Sequence, residues 1–186
     1  VDLLSRNKKG YVLMVEAGRI DHAHHDGNAY RALLDTVALS DAVRAVMKKV
    51  DLDETLIIVT ADHSHTFFIQ GYPARGNNIL GLTRGVGELG EVDKEDSTDS
   101  NKKPYTTLGY ANGPGARKGE RPVLSNEQVL DPDYKQEANI PMSSETHAGE
   151  DVAIFAIGPN AHLIRGSMEQ NWIFFVMADA LRLARK

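Results

Sequence analysis

The chain has 186 residues, 41% of them hydrophobic, which suits one α/β domain with a core of its own. Its 21 Lys and Arg residues against 26 Asp and Glu residues give a net charge of −5, which excludes the basic surface that nucleic-acid binding requires. The chain has no cysteine, so disulfides and thiolate ligands are excluded and any metal site must use histidines and carboxylates. The sequence contains no long apolar run typical of a membrane span and no signal-peptide pattern.

A group of possible metal ligands follows the first predicted strand. Residues 11–15 (YVLMV) form a continuous apolar run that predicts a buried strand, and Glu16 comes directly after it. If a helix begins near Ile20, Asp21 and His25 lie four residues apart on one face and can bind the same ion. The same segment also carries His22 and His24. The alternative is an ordinary helix N-terminus, where Asp21 complements the helix dipole and the histidines are solvated.

A helix and a second strand come next. Apolar residues recur at helical spacing from Asn28, which predicts an amphipathic helix of about twenty residues. Residues 55–61 (TLIIVTA) are typical of a parallel strand covered on both faces, so that with residues 11–15 they predict a βαβ unit. This strand is followed by Asp62 and His63. Because ligands collect beyond the carboxyl ends of parallel strands, the pattern favours a metal site over a capped turn.

The rest of the chain holds one irregular interval and two further elements. Residues 71–141 are rich in Gly, Pro, Asn and Asp with little periodicity, which predicts an excursion that covers a site or makes a contact. Residues 152–157 (VAIFAI) predict a third strand. Residues 171–185 predict a terminal helix whose apolar face packs on the sheet.

Six motifs, taken together, resemble those of the alkaline phosphatases, particularly the animal-type enzymes and their bacterial relatives. They occur in the order found in that family and extend over nearly the whole chain: VEAGRIDHAHH, IIVTADHSHT, GYPARGNNILGL, YANGPG, SSETHAGEDVAIFA and GPNAHL. The resemblance implies an α/β fold with a parallel-rich central sheet flanked by helices and a long irregular crown-like insertion. It divides the chain into core residues 1–70, the insertion 71–141 and core residues 142–186.

The resemblance also implies two zinc ions and one magnesium ion in a complete active site. The first zinc is bound by Asp21, His25 and His147, and this ligand set is complete in the chain. The second zinc is bound by Asp62 and His63, and the magnesium by Glu16, each with further ligands from an N-terminal part of the enzyme. The resemblance implies no direct contact with a metal for the remaining histidines of these motifs, which either form hydrogen bonds to metal-bound carboxylates or do nothing: His22, His24 and His65. Glu150 is a candidate to orient His147.

The activity implied is hydrolysis of phosphomonoesters to inorganic phosphate through a phosphoserine intermediate. The chain contains no Asp-Ser-Ala sequence, so the nucleophilic serine and the phosphate-binding arginine are expected upstream, and we expect little activity from the chain alone. Two alternatives remain open. One is another enzyme of the same metal-dependent superfamily, such as a phosphodiesterase or sulfatase, and the other is a zinc-binding fragment without catalysis.

The resemblance has two further implications. The intact enzyme is expected to be a homodimer in which Tyr72 reaches toward the neighbouring subunit. The alternative is that Tyr72 covers a sheet edge of its own subunit. A periplasmic, secreted or cell-surface location is implied as well.

Overall fold

The computed structural model describes residues 1–183, and these form α-helices of 4 to 19 residues and small sheets. The α-helices are α1 (Arg19–His25), α2 (Ala29–Met47), α3 (Asn126–Val129) and α4 (Trp172–Ala180). Two 3-10 turns cover Leu4–Arg6 and Ala161–Leu163. The strands are β1 (Ile57–Val59), β2 (Ser64–His65), β3 (Phe67–Ile69), β4 (Leu108–Gly113), β5 (Ala138–Pro141), β6 (His147–Ala148) and β7 (Phe155–Ile157). They form three sheets, ordered β1-β7, β2-β6 and β3-β4-β5.

The chain divides into two compact units, which are described separately. The first unit contains Val1–Glu16, Leu39–Ser64 and the chain from Gly149 onward. The second contains Ala17–Ala38 and His65–Ala148.

In the first unit, the predicted strand at residues 11–15 is wrong. This run has no regular structure, and its side chains are exposed: Val12 by 65%, Leu13 by 46%, Met14 by 86% and Val15 by 66%. An apolar run becomes a buried strand only where a neighbouring strand satisfies its backbone groups, and none of the described strands pairs with residues 11–15. The predicted βαβ unit is therefore reduced to α2 and β1.

The other two predicted strands exist but are shorter and run antiparallel. Strand β1 occupies the middle of residues 55–61 and is half-buried rather than covered on both faces. It pairs with β7, placing Ile57 opposite Ile157 and Val59 opposite Phe155. Within residues 1–183, the parallel ladder is β4 with β5, and the other ladders whose register is known are antiparallel.

The predicted terminal helix is present as α4, and its last part, residues 184–185, lies outside the described residues. Val176 and Ala178 are buried, but residues two apart lie on nearly opposite sides of an α-helix, so together they do not form the predicted inward face. The aromatic side chains behave differently, since Phe174 is 61% exposed and Phe175 is 54% exposed. The apolar side chains of this helix are thus only partly packed, with Ile173 half-buried in addition to the buried Val176 and Ala178.

The second unit is built around β4, which lies between β3 and β5. Phe67 of β3 pairs with Tyr110, and Tyr110 pairs in parallel with Ala138 of β5. Leu108 and Tyr110 are almost fully buried. A second buried cluster contains Leu82, Leu124 and Val129, against which Leu130 and Tyr134 pack.

The interval 71–141 is more regular than its composition predicts. It supplies β4 and β5, two of the three strands of the largest described sheet, together with α3. Helix α3 begins with a capping box, in which the Ser125 side chain accepts from the Gln128 amide and the Gln128 side chain accepts from the Ser125 amide. Arg121 binds both Asp99 and Glu137 and so connects distant parts of the interval. Hydrogen bonds and ion pairs of this kind order the interval, although its sequence has little hydrophobic periodicity.

The side chain of Tyr134 buries a hydroxyl group in this unit. Its Oη atom is buried without a hydrogen-bond partner among residues 1–183, and burial raises the pKa of Tyr134 to about 12. We expect Tyr134→Phe to raise the free energy of unfolding by about 1 kcal/mol, because it removes a polar group that is dehydrated without compensation. The stability difference between Tyr134→Phe and the parent should increase between pH 10 and 12. In this range the Tyr134 phenol of the parent ionises in the unfolded state but stays neutral in the folded state, which destabilises the parent alone.

Denaturant unfolding at pH 7 and at pH 11 measures this effect. Tyr72→Phe is the matched control, since Tyr72 is 91% exposed and the change should be within about 0.5 kcal/mol of zero. A loss of stability in Tyr134→Phe at both pH values would mean that the hydroxyl is satisfied.

Candidate metal centre

Helix α1 places the first two candidate ligands on one face, as the sequence predicts. Asp21 and His25 lie one turn apart, and Oδ1 of Asp21 is 3.4 Å from Nε2 of His25. The Nδ1–H of His25 donates to the backbone carbonyl of Glu145 at 2.6 Å. A carbonyl can only accept, so this contact places the proton of neutral His25 on Nδ1 and leaves the Nε2 lone pair directed toward Asp21.

Strand β6 brings His147 to the same point. Nε2 of His147 lies 3.2 Å from Nε2 of His25 and 3.4 Å from Oδ1 of Asp21. Tetrahedral zinc with bonds of 2.0–2.1 Å to nitrogen and oxygen separates its ligand atoms by roughly 3.3–3.4 Å. The three atoms therefore already have the mutual spacing that zinc requires, and the donor set of two imidazoles and a carboxylate suits that ion.

His65 approaches the same oxygen of Asp21 as His25 and His147 do. Its Nε2 is 3.2 Å from Oδ1 of Asp21, while its Nδ1 donates to Oε2 of Glu145 at 2.7 Å. The side chain is only 8% exposed. His65 thus connects the carboxylate of a candidate ligand to a second, buried carboxylate.

Glu145 is the residue of this centre that the sequence interpretation did not identify. Its side chain is fully buried, and its Oε1 accepts from the backbone amide and the hydroxyl of Thr66 at 2.6 and 2.7 Å. The only signal in the sequence is a single glutamate two residues before a candidate ligand, and the sequence-based prediction assigns the orienting role to Glu150. Glu150 accepts a hydrogen bond from the hydroxyl of Ser64 at 2.8 Å.

His24 packs against His65 and Tyr110. Its Nδ1 is hydrogen bonded to Oη of Tyr110 at 2.8 Å, and its ring stacks on that of His65 at a centroid distance of 4.6 Å. Burial lowers the pKa of His24 to about 4. The ring is therefore neutral at physiological pH and fills space between α1 and β4.

The remaining predicted ligands belong to the first unit. Oδ2 of Asp62 is 3.5 Å from Nε2 of His63, so these two side chains converge just after β1. Glu16 is exposed at the end of the irregular run 11–15. The assignment of these three residues to a second zinc and a magnesium stays a prediction.

Comparison with known proteins decides the family. The alkaline phosphatase family model matches residues 1–183. The tissue-nonspecific alkaline phosphatase of Felis catus is 44% identical over 182 residues, which is 97% of this chain and 33% of that protein. The rat enzyme (Rattus norvegicus) is 44% identical over 180 residues, 96% of this chain and 32% of its own length, and the human enzyme (Homo sapiens) is 42% identical over 182 residues, 97% and 33%. The chain belongs to the alkaline phosphatase family.

This chain spans about a third of the length of the curated alkaline phosphatases that it matches. Membership confirms the family inferred from the six motifs and implies an α/β fold, in agreement with the mixture of helices and small sheets. Alkaline phosphatases depend on metal ions, and the donor set at Asp21 fits that dependence. None of the helices described here is both long and apolar enough to cross a membrane.

Proposed function

We propose that the chain is the metal-binding part of a phosphomonoester hydrolase that works through a phosphoserine intermediate. The observation that supports this most directly is the spacing of 3.2–3.4 Å among the ligand atoms of Asp21, His25 and His147. A carboxylate and two imidazoles are the ligand types that zinc takes in a protein without cysteine, and here their atoms lie at the spacing of a shared ion. In this proposal the three residues hold the first zinc ion.

Each residue of this set has a defined task. Asp21 contributes negative charge, which favours a divalent cation over water at the site. His25 contributes a fixed Nε2 lone pair, since its Nδ1–H is bound to the Glu145 carbonyl. His147 closes the set from another element. When bound, zinc supplies Lewis-acid stabilisation of the negative charge that develops on phosphoryl and leaving-group oxygens.

Asp62 and His63 form the chain's share of the second zinc site, and Glu16 its share of the magnesium site. In both cases the remaining ligands come from the longer protein, as do the nucleophilic serine and the phosphate-binding arginine. The same longer protein would extend the small described sheets into a parallel-rich central sheet, with residues 71–141 as a crown-like insertion. The exposed run 11–15 is consistent with this, because it has the composition of a buried strand without a partner.

A zinc-binding fragment without catalysis is the second candidate, and it is favoured by the absence of an Asp-Ser-Ala sequence in the chain. The two candidates differ in the activity of the full-length protein that contains this sequence. We expect that protein to hydrolyse p-nitrophenyl phosphate at about 10 per second, and the chain alone to be slower by several orders of magnitude. In the full-length protein, His147→Ala should remove most of the activity.

The assay is run with zinc and magnesium present, and His162→Ala is the control because this histidine lies in a 3-10 turn of the first unit. Full-length protein that binds zinc but lacks activity would support the non-catalytic candidate. A chain that alone approaches the full-length rate would contradict the assignment of the nucleophile to another part of the protein.

A homodimer and a periplasmic, secreted or cell-surface location complete the proposal, with phosphomonoesters as substrates and inorganic phosphate as product. Tyr72 is 91% exposed and so is available to contact a second subunit. Tyrosine suits such a contact because it combines a large apolar ring with a polar tip. Sedimentation of full-length Tyr72→Ala tests the assignment, which fails if the dimer dissociation constant and the kinetics are unchanged.

A further inference from the structure

We infer that Glu145 is a positioning residue for the zinc site: its carbonyl orients the ligand His25, and its carboxylate holds His65 against the ligand Asp21. This inference rests on the proposed function, since it concerns the same site. Glu145 itself contributes no atom to the set of Asp21, His25 and His147.

The first part of the inference follows from the backbone of Glu145. Its carbonyl accepts from Nδ1–H of His25 at 2.6 Å, and its amide donates to the carbonyl of His25 at 2.9 Å. The end of α1 is therefore joined to residue 145 by two hydrogen bonds in opposite directions. One of them determines which nitrogen of His25 carries the proton, and therefore which nitrogen is available to a metal.

The second part follows from the carboxylate, both of whose oxygens are used. Oε1 accepts two hydrogen bonds from Thr66, and Oε2 accepts from Nδ1 of His65. The carboxylate therefore receives three donors, and the bond to Nδ1 of His65 holds that ring with its Nε2 3.2 Å from Oδ1 of Asp21. Without Glu145, His65 would lose the contact that determines its ring orientation and tautomer.

The third part concerns how the segment around Glu145 is itself held. Oδ1 of Asn112 accepts from the amide of Thr146, and Nδ2 of Asn112 donates to the hydroxyl of Thr146. Gly113 has φ +138°, and a side chain there would approach Cβ of Glu145 to 3.2 Å. Strand β4 thus both anchors this segment and leaves room for Glu145. His147, two residues later in the same segment, is thereby positioned in the centre.

Glu145→Gln is the test, because it preserves shape but replaces one acceptor oxygen with an NH₂ donor. With the chain free of metal, ¹⁵N spectra of the imidazoles are expected to show His25 and His65 both protonated on Nδ1 in the parent. In Glu145→Gln, His65 should lose this fixed tautomer, while His25 should keep it because the carbonyl is unchanged. A parent without the Nδ1–H form of His65, or a variant that retains it, would overturn the inference.

A second experiment measures the affinity of the chain for Zn²⁺ alone and its visible absorption spectrum with Co²⁺ bound. We expect Glu145→Gln to lower the zinc affinity by about 10- to 100-fold and to alter the cobalt spectrum. Glu137→Gln is the matched control, since Glu137 is a partly buried carboxylate of the same unit that binds Arg121 and contacts no histidine of the centre. It should reduce stability and leave the zinc affinity within about twofold.

The outcomes separate the two proposals. If the parent chain binds no zinc, the metal site of the proposed function fails, and the imidazole spectra of the metal-free chain still decide the role of Glu145. If the parent binds zinc and Glu145→Gln binds it equally well with an unchanged cobalt spectrum, Glu145 is not a positioning residue. If both glutamine variants lower affinity equally, the effect is general destabilisation and the inference fails.

Discussion

His25→Ala is expected to lower the affinity of the chain for Zn²⁺ by about two to three orders of magnitude, because it removes one of the three protein ligands at the first site. Structural zinc sites contribute roughly 10 kcal/mol or more in total, so one ligand in three or four accounts for about 3–4 kcal/mol. Competition titration with a chelator of known affinity measures the change. The remaining atoms of Asp21 and His147 are 3.4 Å apart and can still bind zinc weakly.

The matched control for this change is His22→Ala. His22 lies on the same helix, three residues before His25, and is exposed. The substitution alters helix propensity and charge in the same way but leaves the centre intact, so the affinity should remain within about twofold of the parent. Equal losses in the two variants would show that α1 as a whole, rather than a bound ion, accounts for the effect.

Tyr110→Ala is expected to reduce the free energy of unfolding by about 3–5 kcal/mol, the cost of removing a fully buried aromatic side chain. Tyr110 is 0% exposed in the middle of β4, where its ring packs on Phe67 at a centroid distance of 5.2 Å. It also holds the hydrogen bond to His24. A loss of this size is a large part of the 5–15 kcal/mol that usually stabilises a domain.

Tyr110→Phe separates the ring from the hydroxyl. This variant retains the packing and loses one hydrogen bond to His24, so it should cost about 1 kcal/mol. Urea unfolding of the three proteins measures both values. An alanine variant within about 1 kcal/mol of the parent would contradict the assignment of Tyr110 to the core of the second unit.

Local features of the fold were predictable from the sequence where a local rule determined them. The spacing of Asp21 and His25 predicts one helical face, and the periodicity after Asn28 predicts α2; both are confirmed. The strand predicted at residues 11–15 is absent because an apolar run forms a strand only beside a partner strand. Whether a partner strand is present cannot be read from the local sequence. The direction of β1 relative to β7 is likewise determined by pairing between distant segments.

The candidate site was predictable only in part, for the same reason. His147 lies 122 residues after His25, so its place beside His25 came from the family resemblance and not from spacing. Glu145 and Tyr110 were missed because their roles depend on contacts across 80 and 86 residues, with His65 and His24 respectively. A buried carboxylate looks like any surface glutamate until its histidine partners are known.

Asp21, His25 and His147 are expected to bind one zinc ion together. Anomalous scattering at the zinc edge, from crystals of the chain grown with zinc, tests it most directly. We expect a peak about 2.0–2.1 Å from Nε2 of His25 and of His147 and from a carboxylate oxygen of Asp21. If zinc-containing crystals show no anomalous peak within bonding distance of these three atoms, the assignment of this zinc site is wrong.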